Sequence, residues 1–364
     1  MELDVKMDGD KVRIDTLRIT SEFLRLIAAL DEFKGAWEAT GRIAPERLLA
    51  LRRVATIESI GSSTRIEGAS LTDIEVERLL SRLDITTFDT RDEQEVAGYA
   101  DAMNLVFDSW TEIDLTENHI KQLHQVLLQH SSKDLRHRGD YKTHDNHVEA
   151  FAPDGTSLGV VFRTATPFDT PRLTRELVDW TRAQFEADDH HRLVVIAVFV
   201  VTFLQIHPFQ DGNGRLSRIL TTLLLLRAGY AYAPFSSLES VIEQSREEYY
   251  SALRQTQRTI RGDTPDWQQW LGYFLRSLTT QKDRLEAKID RERLLFESLP
   301  ELSRQLLELC REHGRLTVAM AVSATGGNRN TIKGHIKSLC GANHLRRHGA
   351  GRGAWYSLRQ GATL

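Results

Sequence analysis

The sequence predicts a mainly α-helical protein with a small β-hairpin and a separate basic module at its C-terminus. Apolar residues recur at three- and four-residue spacing along most of the chain, which is the period of an amphipathic helix. Residues 143–162 are instead rich in β-forming residues and are interrupted by Pro153, Asp154 and Gly155, so they predict a hairpin. A change of charge near residue 300 sets off the C-terminal module.

Helical patterns follow one another along the chain. They begin with ITSEFLRLIAALDEFKGAWE and APERLLALRRVATIESIG, and continue with EQEVAGYADAMNLVFDSW, LTENHIKQLHQVLLQH and PRLTRELVDWTRAQFEA. SREEYYSALRQTQRTI and the long stretch that starts at DWQQWLGYFL complete the series. The apolar run from Leu193 to Leu204 leaves two alternatives open, because its β-branched residues favour a strand and its length favours a helix. It is shorter than the about 20 residues that span a bilayer, so we expect no membrane partner.

Composition and charge narrow the class of protein. The formal net charge of −4 on 364 residues disfavours a protein that coats nucleic acid over its whole surface. The start, MELDVKMDGD, lacks the layout of a signal peptide. The two cysteines, Cys310 and Cys340, lack metal-ligand spacing, so we expect small, reduced, buried side chains. A cytoplasmic protein is the expectation.

The stretch HPFQDGNGRLSR, from His207 to Arg218, carries the chemistry. It leads into RLSRILTTLLLLRAG, which predicts a helix that begins near Gly214 or Arg215. Main-chain N–H groups of the DGNG turn at a helix N-terminus form an anion site. Arg215 and Arg218 lie one turn apart and add forked donors that suit phosphate. Asp211 supplies a hard oxygen for Mg²⁺, and His207 can accept a proton near neutral pH.

Each of these features has a plainer interpretation when taken alone. A histidine before a proline is more often structural than catalytic, and two arginines can simply pair with surface carboxylates. A glycine-rich turn is a weak signal, and no Walker-type GxxxxGK[ST] sequence occurs. The four features within twelve residues together predict a triphosphate site.

The same twelve residues resemble the Fic-family motif HPFx[DE]GNGRxxR at every defined position. The resemblance implies a helical core that transfers AMP from ATP to a hydroxyl of a target protein or of the chain itself. In that case His207 deprotonates the hydroxyl, Asp211 holds Mg²⁺, Phe209 anchors the loop, and Arg215 and Arg218 stabilise the departing pyrophosphate. The nucleotide contacts that the resemblance implies are Glu67, Val148, Asp211, Gly212, Asn213, Gly214, Arg215, Leu216, Ser217, Arg218, Tyr250 and Gln257.

The resemblance extends to both sides of the motif. Residues 143–162 lie where Fic proteins carry a flap that aligns an extended target segment by strand addition. REEYYSALRQTQRTIRGD resembles the family's adenine-pocket helix, with Tyr250 as its wall. Gln257 stands where family members often have Asn, which leaves the contact to base or ribose open. Core packing is the alternative for Tyr249 and Tyr250.

The segment SSTRIEG resembles the inhibitory Fic motif [ST]xxxE[GN] at Ser63, Glu67 and Gly68. A glutamate at a helix C-terminus is locally unfavourable, which points to a partner elsewhere. The resemblance implies a brake N-terminal to the catalytic motif, in which Glu67 forms a buried bidentate ion pair with Arg218 and excludes the γ-phosphate. In some family members the same glutamate aligns a water that removes AMP, so the reverse reaction stays open.

The C-terminal module contains NRNTIKGHIKSL and RRHGAGRGAWYSL, and resembles a winged helix-turn-helix. Residues 301–364 hold ten Lys and Arg against three Asp and Glu, a net charge of +7 that leaves −11 on the rest of the chain. Duplex DNA is one predicted partner, and dimerisation or target docking is the alternative. The candidate contacts are Asn328, Arg329, Asn330, Lys333, Arg346, Arg347 and Arg352.

These features predict four parts. They are an N-terminal helical region (1–110) with the inhibitory helix, a Fic core (111–280), a helical connector (281–300) and the winged-helix module (301–364). The favoured function is an autoinhibited protein adenylyltransferase that uses ATP and Mg²⁺ and has a homodimer as an expected assembly. The alternatives are transfer of UMP or phosphocholine, and a transcription regulator whose Fic domain senses nucleotide.

Overall fold

Two units of unequal size make up the chain in this computed structural model. The structure describes residues 12–39, 45–81, 88–146, 148–151, 157–162, 164–297, 299–342 and 344–358. Within them, unit 1 comprises residues 12–39 and 55–282, and unit 2 comprises residues 45–54 and 283–358. The four-part division predicted from the sequence is finer than these units and stays a prediction.

The helices and strands occur in the order that the periodicities predict. The first group is α1 (Ser21–Ala39), α2 (Pro45–Ile66), α3 (Asp73–Leu80), α4 (Arg91–Ser109), α5 (Glu117–Leu127), β1 (Val148–Phe151) and β2 (Ser157–Phe162). The next is α6 (Thr170–Ala187), α7 (Arg192–Ile206), α8 (Asn213–Arg227), α9 (Leu238–Gln244), α10 (Arg246–Gln257) and α11 (Gln268–Glu297). The last is α12 (Glu301–His313), α13 (Val318–Thr325), α14 (Arg329–Gly341), β3 (Leu345–His348) and β4 (Trp355–Leu358). The prediction of a mainly helical protein is confirmed.

The apolar run that the pattern left open is a helix. It forms most of α7, whose residues from Leu193 to Val201 are all buried. Helices α6, α8 and α10 contact α7, so no side of it needs a polar face. Trp270 of α11 donates from its indole nitrogen to the carbonyl of Ala197 at 2.6 Å. The β-branched residues therefore reflect complete burial, and the strand alternative is wrong.

The hairpin predicted at residues 143–162 is confirmed as the antiparallel pair β1 and β2, which we call the flap. Val148 pairs with Phe162 and Phe151 pairs with Ser157, with register shifts between. The turn residues 152–156 lie outside the described residues, and so do the side chains of both strands. The main chain of β2 lies beside α10, which places the flap next to the predicted adenine-pocket helix.

Unit 2 has its own core around α12, α13, α14 and the β3–β4 hairpin. Leu306, Leu316, Ile332 and Leu345 are each at most 2% exposed and pack together. Leu316 also forms a bridge with Tyr356 of β4, which adds the residues before α13 to the hairpin. Cys310 is buried, as predicted, whereas Cys340 is only half-buried.

Across the described ranges, every helix is either too short or too polar to cross a lipid bilayer.

Candidate active site

The motif at residues 207–218 forms the loop between α7 and α8 together with the first turns of α8. His207 ends α7 with a positive φ of 54°, and its N–H donates to the carbonyl of Phe203 at 2.8 Å. Gly212 precedes α8 with a φ of 78°. Left-handed residues at both ends reverse the chain sharply, and a side chain on Gly212 would be strained. The histidine is therefore held at the mouth of the loop.

Asn213 braces this loop from inside. Its Oδ1 accepts from the N–H of Phe209 at 2.9 Å, and its Nδ2 donates to the carbonyl of Phe209 at 2.7 Å. Phe209 is fully buried, as the anchor role requires. Because the amide of Asn213 is used within the loop, a phosphate contact from this residue would come from its main-chain N–H and not from its side chain.

His124 supports the loop from α5, and the sequence did not single it out. Its ring stacks on Phe209 with centroids 3.8 Å apart. Its Nδ1 accepts from the N–H of Gly139 at 2.9 Å, so its Nε2 carries the proton and donates to the carbonyl of Asp211 at 3.0 Å. Burial lowers the pKa of His124 to about 4 and keeps the ring neutral. A single histidine in an amphipathic helix has no sequence pattern that would predict its contact with the motif loop.

The N-terminus of α8 is an anion site that already holds a carboxylate. The first intrahelical bond joins the N–H of Leu216 to the carbonyl of Gly212, so the N–H groups before Leu216 lack partners within the helix. A Cβ on Gly214 would collide with Oε1 of Glu67, which shows how closely this carboxylate approaches the first turn. The helix dipole favours a negative charge at this position.

Arg218 holds the same carboxylate from the side. Its Nη2 donates to Oε1 of Glu67 at 2.8 Å and to the carbonyl of Ser63 at 3.0 Å, and its Nε donates to Oγ of Ser63 at 2.8 Å. Burial works against the charge of Glu67, but the Arg218 guanidinium outweighs it and holds the pKa of Glu67 below its usual range.

The predicted ion pair is therefore present, but its predicted geometry is wrong. The contact is monodentate: only Nη2 of Arg218 donates to Glu67, and Ser63 accepts from Nε and from the same Nη2. The Glu67 side chain is also 32% exposed, so the carboxylate lies at the edge of the site, whereas the Arg218 side chain is only 4% exposed.

Arg215 belongs to a second set of charges, which includes two residues of α4. Its guanidinium, 3% exposed, lies 3.2 Å from Oε2 of Glu95 and 3.6 Å from Oδ1 of Asp211. Arg91 lies 2.8 Å from Glu95 and 3.6 Å from Asp211, so positive and negative groups alternate around this set. Within the described residues, Nε of Arg215 is buried without a hydrogen-bond acceptor, whereas Nη1 is the atom paired with Glu95. Nε is a donor that an incoming anion could use.

Asp211 is the candidate magnesium ligand. Its Oδ1 accepts from the N–H of Gly212 at 2.6 Å. Burial opposes ionisation, but Arg215 and the Gly212 N–H outweigh it and hold the pKa of Asp211 low. The described part of the chain contains no cluster of three or more metal-ligating side chains. One ionised carboxylate beside a phosphate site still fits Mg²⁺, which takes most of its ligands from phosphates and water.

His207 is neutral in this environment. Burial, and then the charge of Lys142, lower the pKa of its imidazole to about 4. Nδ1 faces the carbonyl of Leu204 at 3.3 Å, so it is the nitrogen that carries the proton. Nε2 therefore keeps its lone pair and is free to accept a proton from an alcohol.

The other predicted nucleotide contacts divide into buried and half-buried groups. Gln257 is 4% exposed, and neither its amide oxygen nor its nitrogen has a hydrogen-bond partner among the described residues. Tyr250 is half-buried with Arg246 over its ring, whereas Tyr249 packs against Trp270 in the core. Leu216 and Ser217 face the interior, and the side chain of Val148 lies outside the described residues.

The candidate DNA contacts of unit 2 share an exposed, basic surface. Asn328 caps α14 through a bond from the N–H of Asn330 to its Oδ1 at 2.8 Å. The exposed residues are Asn328, Arg329, Asn330, Lys333 and Lys337 on or next to α14, and Arg346 and Arg347 on β3. Lys337 was not among the predicted contacts, and the side chain of Arg352 lies outside the described residues.

Comparison with known proteins shows which proteins this chain resembles. Residues 114–225 match the model of the Fic/DOC family. Two curated relatives are proteins named protein adenylyltransferase Fic. The one from Drosophila willistoni is 27% identical over 63% of this chain and 42% of its own length, and the one from Drosophila yakuba is 29% identical over 56% and 38%. The chain thus spans less than half the length of these relatives.

Solved structures show the same fold. A Fic family protein from Desulfovibrio desulfuricans G20 aligns with a TM-score of 0.62 and 22% identity, over 96% of this chain and 99% of that one. Fic-1 (residues 134–508) from C. elegans aligns with a TM-score of 0.57 and 20% identity, over 74% and 73%. The prediction of a Fic-type helical fold is confirmed: this chain has the fold of these Fic proteins.

Proposed function

We propose that the chain is a nucleotidyltransferase that moves AMP from ATP to a Ser, Thr or Tyr hydroxyl of a target protein or of itself. The observation that carries this proposal is the carboxylate of Glu67 seated between the N-terminus of α8 and Arg218. A site that holds a carboxylate in this way has the donors and the charge to hold phosphate. The named adenylyltransferases among the relatives support the choice of reaction.

His207 would act as the general base. Its Nε2 takes the proton of the acceptor hydroxyl as the oxygen bonds to the α-phosphorus of ATP. The bond from the α-phosphorus to the bridging oxygen breaks, and pyrophosphate leaves with that oxygen. The imidazole is neutral beforehand, so no prior deprotonation is needed.

The rest of the site would bind and orient the nucleotide. Main-chain N–H groups of Asn213 and Gly214 would bind the phosphates, while the Gly212 N–H stays on Asp211. Arg215 and Arg218 would neutralise charge on the outer phosphates. Asp211 would hold Mg²⁺, which offsets phosphate charge when bound. Tyr250 and Gln257 would contact the adenosine, and the unpaired amide of Gln257 supports this role because a buried amide without partners is costly.

Glu67 would inhibit the reaction by occupying the place of the γ-phosphate. Arg218 cannot hold the carboxylate and the phosphate through the same donor, so ATP would bind in an unproductive pose. Because Glu67 is one-third exposed, it lies where it could also align a water, and removal of AMP stays an alternative activity.

Labelling with ATP tests both the reaction and the brake. The purified Glu67→Gly variant, incubated with ATP and Mg²⁺, should gain the mass of AMP on a Ser, Thr or Tyr much faster than the unchanged chain. Glu67→Gly combined with His207→Ala is the matched control and should stay unlabelled. Equal labelling with and without Glu67 would exclude the brake. Bound but unconverted ATP in every variant would favour a nucleotide sensor, and label from UTP or a phosphocholine donor would change the transferred group.

We further propose that unit 2 is a winged helix that contacts duplex DNA. From His313 to the C-terminus the chain has no Asp or Glu, and Arg329, Lys333 and Lys337 lie four residues apart on exposed positions of α14. Such a row suits phosphate contacts along one face of a helix. Binding of a DNA duplex to the full chain, followed by fluorescence anisotropy, should weaken steeply with salt.

Paired lysine variants test this assignment. Lys333→Ala with Lys337→Ala should lower the salt slope by about one for each lysine. Arg182→Ala, an exposed change on α6, is the control and should leave the slope unaltered. DNA binding that is absent, or unaffected by the paired change, would favour a dimerisation or target-docking role for unit 2.

A further inference from the structure

The flap is attached to the motif loop by hydrogen bonds on both of its sides. We call residues 142–146, which lead into the flap, and residues 164–165, which lead out of it, the flap stems. On the entry side, the N–H of Lys142 donates to the carbonyl of Pro208 at 2.9 Å, and Nδ2 of Asn146 donates to the carbonyl of Phe209 at 2.6 Å. These two carbonyls directly follow His207.

On the exit side, the stem binds the residue that precedes His207. The N–H of Ala165 donates to the carbonyl of Ile206 at 3.3 Å. Ile206 is the last residue of α7, and its carbonyl lies at the negative end of the helix dipole. The main chain on either side of His207 is therefore tied to the flap stems.

Lys142 joins both stems and the loop through one buried ammonium. Lys142 as a whole is only 3% exposed to solvent. Nζ donates to Oδ1 of Asn146 at 2.9 Å, to Oγ1 of Thr164 at 2.9 Å and to the carbonyl of Ile206 at 3.1 Å. An ammonium has three protons, so every donor is used, with one acceptor on each stem and one at the last residue of α7.

Burying the ammonium of Lys142 costs desolvation free energy, which argues that the side chain does more than fill space in the core. The three acceptors are neutral, and although the charge of Asp145 favours the ammonium, no hydrogen bond within the described residues joins the two. Burial accordingly lowers the pKa of Lys142 to about 8. A methionine could fill the same space without desolvating a charge. The ammonium is suited to fixing three oxygen atoms in one geometry.

We infer that Lys142 is a positioning residue for His207, which locks the flap and the motif loop together so that a hydroxyl presented on the flap meets the imidazole. The inference rests on the proposed function. His207 has a positive φ, a conformation that persists only where its surroundings hold it. Lys142 binds the carbonyl of Ile206, which precedes His207. Through Asn146 it also holds the carbonyl of Phe209, two residues after His207.

The test is self-labelling of Lys142→Met in the Glu67→Gly background, with the rate measured against ATP concentration. The expected result is a kcat lowered about tenfold or more, because alignment of a general base is worth that much. KM for ATP and the dissociation constant for ATP should change less than about twofold, because Lys142 contacts no predicted nucleotide residue. Thr164→Val, which removes one acceptor and keeps the ammonium, should give a smaller loss of kcat.

Lys34→Met is the matched control. Lys34 donates to the carbonyl of Ala228, the residue that follows α8, at 2.9 Å, so it is another lysine on a helix C-terminus in unit 1. Its removal should leave kcat unaltered. An equal loss in Lys34→Met, or ATP affinity falling in step with kcat in Lys142→Met, would reduce Lys142 to a stabilising residue and overturn the inference.

The outcomes separate the inference from the proposed function. If the Glu67→Gly parent transfers no AMP, the proposed function fails whatever Lys142 does. If the parent is active and Lys142→Met matches it, the positioning role alone fails. Hydrogen exchange adds a readout without catalysis: the amide of Ala165, bound to Ile206, should exchange faster in Lys142→Met, and unchanged exchange would contradict the lock. Should Lys142→Met not fold, Thr164→Val decides through the same kcat and KM comparison.

Discussion

His207 has to stay uncharged while the carboxylates of Glu67 and Asp211 stay charged. Burial achieves the first, and guanidinium groups achieve the second. The difference depends on placement. Arg218 and Arg215 lie against the carboxylates, whereas the charge of Lys142 lowers the pKa of the imidazole more than the charge of Glu67 or of Asp211 raises it. Burial alone would favour neutral Glu67 and Asp211, but the neighbouring guanidinium groups keep both carboxylates charged. For His207, burial itself favours the neutral form.

The lowered pKa of His207 predicts the pH dependence of labelling. A base whose pKa is about 4 remains deprotonated above that value, so the rate in Glu67→Gly should be flat from about pH 5.5 to 7.5. The rate should fall only as pH approaches 4, where the imidazole gains its proton. Initial rates of self-labelling in constant ionic strength buffers measure this. An acid limb centred near pH 6.5 would show an imidazole exposed to water.

Single residues also show how far the sequence could predict the site. The spacing within HPFQDGNGRLSR was enough to bring His207, Asp211 and Arg218 together, because a loop and one helical turn decide it. The contact of Glu67 with Arg218 followed only from the resemblance of SSTRIEG to a known motif. His124 and Lys142 act across long sequence separations from ordinary-looking positions, so no local pattern could have identified them.

At the scale of elements, the end of α2 is held by a latch outside the nucleotide site. Nε and Nη2 of Arg65 donate to the two carboxylate oxygens of Glu243 at 2.6 and 3.0 Å. Nη1 donates to the carbonyl of Leu71 and to Asp73, each at 2.9 Å. The bidentate geometry expected of Glu67 is thus found at Arg65, two residues earlier, where it fixes the end of α2 next to Glu67.

Weakening this latch should relieve inhibition without altering a phosphate contact. Glu243→Gln removes the charge that α9 offers to Arg65, worth about 1 kcal/mol at a partly exposed bidentate pair. If that energy holds Glu67 in place, self-labelling of the otherwise unchanged chain should rise up to about fivefold. The rise should be smaller than that of Glu67→Gly. Glu248→Gln, an exposed change on α10, is the control, and equal rates in the two variants would disconnect the latch from the brake.

Elements differ in how well the sequence predicts them. The amphipathic helices were predictable because one apolar face gives the 3.6-residue period. Helix α7 was not, because complete burial removes the polar face that distinguishes a helix from a strand. The flap was predictable from its β-formers and turn residues, but not the hydrogen bonds of its stems to Ile206, Pro208 and Phe209, which depend on the tertiary fold.

For the whole molecule, ligand binding should be visible as added stability. A nucleotide that binds only the folded chain stabilises it by about 2.7 kcal/mol at a concentration one hundred times its dissociation constant. Because Glu67 occupies the anion site, ATP with Mg²⁺ should raise Tm more in Glu67→Gly than in the unchanged chain. His207→Ala should leave the shift of its parent intact, since the imidazole is proposed for chemistry and not for binding. Equal shifts with and without Glu67 would contradict competition for the site.

The seat of Glu67 on α8 has a consequence for how the protein would be regulated. A competitor that belongs to the same polypeptide has an effective concentration set by tether geometry alone. Competition between Glu67 and a free nucleotide would therefore not depend on the concentration of the protein. Intramolecular inhibition of this kind would not weaken when the protein is diluted. If Glu67 inhibits as proposed, inhibition would end when the end of α2 moves, and a regulatory signal would have to act on that helix terminus and not on protein abundance.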